Sequence, residues 1–184
     1  MKFQHLMFDL ETFGTKPGSV LRSIGAVEFD PETGRTGKEF YANIDKQSCL
    51  AVGLVVDPTT EKWWAQQSQA AQDALLENCR PIAEVASEFH TFFRANGNEM
   101  IWCQGADFDS VLWEAAVAAV WPSKSFTPWR FYNVRDTRTV YDIAGFDPRS
   151  VSRAGTYHNA LDDSHYQVRC VSEAMKILRA PLYE

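Results

Sequence analysis

Apolar residues run together or alternate in the first third of the chain and recur at helical spacing in the rest. His5-Leu6-Met7-Phe8 reads as a strand entering a core. Gly14, Pro17 and Gly18 crowd the stretch Thr12 to Gly18 and predict a turn. A second strand is expected over Val20–Asp30, and Pro31-Glu32-Thr33-Gly34 predicts a hairpin loop into a third, Lys38–Ile44, which makes a three-stranded meander. Residues 45–57 have no assignable pattern. Asp57-Pro58-Thr59-Thr60-Glu61 then combines a capping acid, a first-turn proline and an early glutamate, so a helix carrying Trp63 and Trp64 starts there. Helical spacing returns over Gln69–Leu76 and Pro81–Phe93, where Ile82, Val85, Ala86, Phe89 and Phe93 form one stripe, and Asn96-Gly97-Asn98 ends the second helix. Glu99–Cys103 reads as a short buried strand. After it come an apolar helix through Val120, a loop from Trp121 to Pro128, a strand over Phe131–Thr137, a short helix into Gly145 and a long helix from about His158 to Arg179.

Strands first, then helices and strands in alternation, predict an α/β architecture with a mixed sheet flanked by helices. The 184 residues, 45% apolar and 13% aromatic, suit one domain spanning 1–184 with a packed core. No basic and apolar leader opens the chain, and the alanine-rich run Ala115–Trp121 is too short to cross a bilayer, so a cytoplasmic protein without a membrane partner is expected. Cys49, Cys79, Cys103 and Cys170 show neither paired spacing nor clustering, which argues against zinc ribbons and disulfide frameworks.

A net charge of -6 argues at first against a nucleic-acid partner. The charge is uneven, however: residues 1–121 carry 9 Lys and Arg against 17 Asp and Glu, whereas residues 122–184 carry 9 against 7. Arg130, Arg135, Arg138, Arg149 and Arg153 are concentrated in that second part and could supply a phosphate-facing patch. Acids that bind divalent cations are also neutralised by them, which weakens net charge as an argument.

The chemistry begins at Asp9 and Glu11. Side chains repeat every second residue on a strand, so both carboxylates leave one face side by side. Two such anions repel each other unless a cation or a shared proton holds them. Asp109, just past the fourth strand in the first turn of its helix, and His158 and Asp163, at the start of the last helix, fall at places where functional sites are easily built.

Phe8-Asp9-Leu10-Glu11-Thr12, Phe108-Asp109 and His158-Asn159-Ala160-Leu161-Asp162-Asp163 together resemble the three motifs of the histidine-type DEDD 3'-5' exonucleases, in order and spacing. Gln104 stands where that family usually has asparagine, which touches a supporting position and leaves the acids in place. Lys62-Trp63-Trp64 and the stretch Pro128–Thr139 are similar to the phage and prophage exonucleases and a bacterial exoribonuclease-like group. The resemblance implies a ribonuclease H-like fold, a single-stranded DNA or RNA 3' end as substrate, two divalent cations, Mg2+ or Mn2+, and a homodimer, the state in which relatives often occur. It implies that Asp9 bridges the two metals, that Glu11 and Asp163 complete the site for the metal carrying the attacking water, that Asp109 supports the second metal, and that His158 is the general base. Relatives touch the terminal nucleotide at positions equivalent to Thr12 and Phe13. An RNA-specific oligoribonuclease-like enzyme is the near alternative. A non-catalytic binding module is disfavoured, because all five catalytic positions are filled.

Other residues have plainer readings. Asp162 and Asp163 lie about 100° apart on a helix, so one faces the metals; spacing selects Asp163 and leaves Asp162 as a solvated or helix-starting acid. Asp107 reads as a helix cap. His165 lies seven residues after His158, nominally on the same face yet two turns away, and reads as structural or surface; His5 and His90, with no partner pattern, read the same way. Trp63 and Trp64 can stack on bases, although adjacent residues cannot both face the core, so one is expected to be exposed. Arg130, Arg135 and Arg138 are phosphate candidates against an alternative of ordinary surface charge.

Overall fold

The structure is a computed structural model that describes residues 3–122 and 126–180. Residues 123–125, inside the loop expected from Trp121 to Pro128, lie outside that description. Strands β1 (His5–Thr12), β2 (Leu21–Phe29) and β3 (Thr36–Asn43) form the expected antiparallel meander. Strands β4 (Met100–Cys103) and β5 (Val134–Asp136) run parallel to β1, which gives a five-stranded sheet in the order β3-β2-β1-β4-β5. Helices α1 (Lys46–Ala51), α2 (Pro58–Trp64) and α3 (Gln69–Ala74) follow the meander. Helix α4 (Ile82–Asn96) leads into β4, α5 (Asp109–Val120) and α6 (Thr137–Ala144) flank β5, and α7 (Ala160–Arg179) ends the described chain.

Period-two alternation sends the side chains of β1 to two different cores. Leu6, Phe8 and Leu10 pack with the whole α4 stripe expected from sequence, Ile82, Val85, Ala86, Phe89 and Phe93, and with Leu112 and Trp113 of α5. Met7 points the other way, into a cluster with Val27, Trp102, Tyr141 of α6 and Val168 and Val171 of α7. Asp9 and Glu11 continue the Met7 face, where the apolar filling gives way to the first turns of α7.

The closeness of α7 to the sheet depends on Gly25, which pairs with Asp9 across β1 and β2. A Cβ at Gly25 would lie 2.2 Å from both Ala160 C and Leu161 N, so no larger residue allows this approach. Ser164 Oγ donates to Gly25 O at 3.0 Å and fixes the contact.

Several expectations are corrected. Residues 45–57 contain α1, which Asp45 caps by accepting from Ser48 N at 2.8 Å. The strand expected over Phe131–Thr137 is shorter: Phe131–Asn133 is a 3-10 turn, and Asp136 ends pairing by capping α6 through the amides of Arg138 and Thr139. Asp107 is exposed and does not cap α5, whose N-cap position is Phe108. The last helix begins at Ala160, not His158, because Asn159 Oδ1 accepts from the amides of Leu161 and Asp162 and sets the start there. His158 is left outside the helix with a positive φ of 62°. Among the described residues, no helix is long and apolar enough to cross a membrane.

Candidate active site

The site forms where β1 outruns its parallel neighbour. Strand β4 pairs with β1 only from His5 to Met7, so the amide of Leu10 meets no strand on that side. The carboxylate of Asp109 takes the strand's place, and Leu10 N donates to Asp109 Oδ1 at 3.1 Å. Asp109 is the first residue of α5, a position where the helix amides favour an anion. From the other side α7 supplies Asp163 and, one turn further on, Gln167, whose Nε2 donates to Asp9 Oδ1 at 2.7 Å.

Glu11, His158 and Asp163 each present a ligand atom, and these atoms lie within 4.8 Å of one another. Because His158 stands before the helix in a left-handed conformation, its ring faces the acids across the mouth of the site. The ring packs edge-on against Trp63 at 4.8 Å and Trp64 at 5.8 Å between centroids.

Like charges at this density leave an electrostatic signature. Burial pushes Asp9 well above the usual carboxylate range, and the charges of Asp109 and Glu11 add to the shift. Burial, with Asp109 next, pushes Glu11 up to about 8, while Arg22 and Arg153 pull it back. Asp109 rises to about 7 through burial, opposed by hydrogen bonds from the amides of Leu10, Asp109 itself and Gln104. His158 moves the other way, lowered by burial and then by Arg153. The fold therefore gathers acids that resist ionising together, around one imidazole held neutral.

Beside Glu11 opens a cleft of about 400 Å³, whose lining includes Thr12, Trp63, Trp64 and Phe108. The two tryptophans divide their tasks. Trp63 is 41% exposed, whereas Trp64 is 3% exposed, and its Nε1 donates to Thr12 O at 2.8 Å. The expectation that Trp64 could stack on a base is thus corrected: its ring is spent on holding the end of β1. Thr12 is buried and donates its hydroxyl to Gly14 O at 2.6 Å. Phe13 is partly buried, with Arg22 at 4.5 Å on its ring and Lys46 also at 4.5 Å.

Of the three candidate arginines only Arg138 reaches this neighbourhood. It starts α6 near Gly105, with Nη1 3.6 Å from where a Cβ would stand, and its charge acts on Asp109. Arg135 is corrected: it folds back onto the carbonyls of Tyr132 and Val134 and onto Met100 Sδ. Arg130 is corrected as well, because it precedes β5, at the end of the parallel strands away from Glu11, and donates to Tyr132 Oη at 2.6 Å.

Sequence reasoning missed three residues. Gln167 is four residues after Asp163, so their shared helix face was a usable signal. Arg22 lies buried against Trp64 at 4.2 Å, next to Glu11, and nothing local in sequence marks it. Arg153 stood only among the arginines of a phosphate-facing patch, and nothing in the sequence marked its pairing with Asp163. Asp162 has a job of its own, accepting from Thr156 N at 2.8 Å and so tethering the segment that carries His158.

A family model described as the Rv2179c-like 3'-5' exoribonuclease domain matches residues 4–175. The chain belongs to this family. The Rv2179c-like chain also shares its fold with solved exonucleases. Exonuclease I of E. coli, in a zinc-bound complex with single-stranded DNA, is 16% identical with a TM-score of 0.62 over 96% of this chain and 41% of that one. The nuclease domain of 3'hExo, described as a DEDDh family member bound to rAMP, is 14% identical with a TM-score of 0.57 over 96% of this chain and 92% of that one. A 3'-exonuclease bound to a histone mRNA stem-loop is 13% identical with a TM-score of 0.55 over 98% and 84%. The chain spans only 41% of exonuclease I. No curated protein matches it by sequence. The sheet and helices are thus those of the expected ribonuclease H-like α/β fold, and residues 4–175 carry the Rv2179c-like domain.

Proposed function

We propose that this domain is a metal-dependent 3'-5' exonuclease that releases nucleoside 5'-monophosphates from a single-stranded 3' end. The observation that carries the reading is the convergence of Glu11, Asp163 and His158 within 4.8 Å, with Asp9 and Asp109 packed beside them. Carboxylate oxygens gathered in one acid cluster are the donor set that Mg2+ and Mn2+ prefer, so the residues fit these ions. Asp9 would face both ions, Glu11 and Asp163 would hold one, and Asp109 the other. Bound there, two divalent cations supply charge stabilisation at the phosphodiester and a water acidic enough to attack it.

The chain's own groups do the rest. His158, neutral because burial and Arg153 lower it, takes a proton from the attacking water at its free ring nitrogen. Trp63, exposed beside the cleft, offers its face to a terminal base, while Thr12 lines the cleft under the terminal nucleotide and Phe13 supports it from the core side. Arg138 supplies positive charge for the phosphate backbone on the Asp109 side. The exposed thiol of Cys79 suits a reducing cytoplasm, and a homodimer in solution completes the reading.

The deciding experiment presents 5'-labelled and 3'-labelled RNA and DNA oligomers, single- and double-stranded, with Mg2+ or Mn2+. Mononucleotide from the 3' label and a ladder from the 5' label are expected. The family's description names an exoribonuclease, so the comparison of RNA with DNA fixes the sugar preference. Binding without cleavage under either metal would replace this reading with a non-catalytic module.

A further inference from the structure

Arg153 lies on the segment between the 3-10 turn Pro148–Ser150 and α7. Its guanidinium pairs with the carboxylate of Asp163. It also rests against Tyr157 at 4.4 Å and Tyr166 at 4.7 Å from the ring centroids. The side chain stays 24% exposed, so it borders solvent on the open side of the site. Its charge also acts on Asp9, Glu11 and His158.

Two demands meet at Asp163. The proposed function gives this carboxylate to a divalent cation, and the fold gives it to a guanidinium. A doubly charged ion and a guanidinium on the same small carboxylate repel each other at close range, in a site where burial reduces screening. One must leave. Arg153 can do so at little cost, because ring faces hold a cation without fixing its direction. The segment around it is exposed from Ala154 to Tyr157 and is tied to α7 chiefly by Thr156 N donating to Asp162 Oδ2.

A displaced guanidinium would not be far from new work. The phosphodiester to be cut must approach the same acids, and a planar fork of N–H donors matches two phosphate oxygens better than any other side chain does. We propose, resting on the exonuclease reading above, that Arg153 is an exchangeable counter-ion: it neutralises Asp163 until a divalent cation takes that carboxylate, then pairs with non-bridging oxygens of the substrate's terminal phosphodiester. Arg153 thereby couples metal loading to substrate capture, since the metal frees the residue that grips the nucleic acid.

The test compares wild type, Arg153→Gln and Arg153→Lys by two readouts. Mn2+ binding without nucleic acid is measured by titration calorimetry, and KM and kcat are measured on a single-stranded oligomer with saturating Mn2+. Arg153→Gln removes the competitor, so Mn2+ binding tightens by about tenfold while KM rises by about tenfold and kcat changes less. Arg153→Lys keeps a competing charge and loses the fork, so its Mn2+ affinity stays near wild type while KM still rises. A residue that merely anchors the segment would give weaker Mn2+ binding on removal. Unchanged or weaker Mn2+ binding in Arg153→Gln, or an unchanged KM in both variants, overturns the exchange. If Arg153→Gln proves too unstable to measure, Arg153→Lys decides alone: tighter Mn2+ binding or an unchanged KM there overturns it too. A wild-type protein that neither binds Mn2+ nor releases mononucleotides removes the exonuclease reading itself, a result distinct from an active enzyme whose variants bind Mn2+ as it does.

Discussion

At the scale of single residues, the acids of β1 are unequal. Asp9 is fixed by Gln167 and feels both Asp109 and Glu11, so it sits where both proposed metal positions meet. Asp9→Asn should lower kcat by about a thousandfold or more, and Glu11→Gln by less, measured on one oligomer at saturating Mg2+. Equal losses would remove the bridging role. Protonation provides a second check. The Glu11 carboxyl titrates at about 8 in the fold against an ordinary 4.5, so between these values the fold keeps a proton that the unfolded chain has released. Stability must therefore fall as pH rises through that window. Asp109, raised to about 7, acts in the same direction, while His158, held neutral, opposes it only toward lower pH. With EDTA present, Tm should drop by several degrees from pH 5 to pH 8, and Glu11→Gln should flatten the slope. A flat wild-type profile would show that the cluster does not strain the fold.

At the scale of elements, the placement of α7 and of the segment before it decides the site. Gly25 lets the first turn of α7 touch β2, so Gly25→Ala must push Ala160 and Leu161 outward and carry Asp163 with them. A loss of about 2 kcal/mol in stability is expected. Activity should fall by about a hundredfold, since displacements near 1 Å have that effect on reacting groups. Denaturant unfolding and single-turnover rates measure the two, and an active, stable Gly25→Ala protein would refute the close approach. Asp162 acts at a distance from the chemistry: Asp162→Ala frees Thr156 and the backbone leading to His158. It should reduce kcat by about tenfold with Tm nearly unchanged, whereas an unaltered kcat would mean that His158 holds its place without the tether.

At the scale of the whole molecule, the fold tolerates a cluster of repelling acids because two apolar cores, one on each face of the sheet, hold β1 in place. Relief should come from the ligand. Saturating Mg2+ or Mn2+ should raise Tm by several degrees at pH 8, and the gain should largely vanish in Asp163→Asn, as differential scanning calorimetry can show. An identical gain in that variant would place the binding elsewhere.

Much of this was legible in the chain. Alternation along β1, the stripe of α4 and the spacing of Asp9, Glu11, Asp109, His158 and Asp163 are local patterns, and local patterns determine strand faces, helix faces and which chemistry a chain can carry. The sequence by itself therefore determined the α/β class, the family likeness and the acids of the site. Only the tertiary structure decided which groups surround those acids. Gln167 reaches Asp9 across 158 positions, the charge of Arg22 acts on Glu11 from a neighbouring strand, and Arg135 turns back onto the carbonyls of Tyr132 and Val134. Such contacts depend on which elements pack together and how closely, down to the missing Cβ of Gly25, and no periodicity along a single element contains that distance.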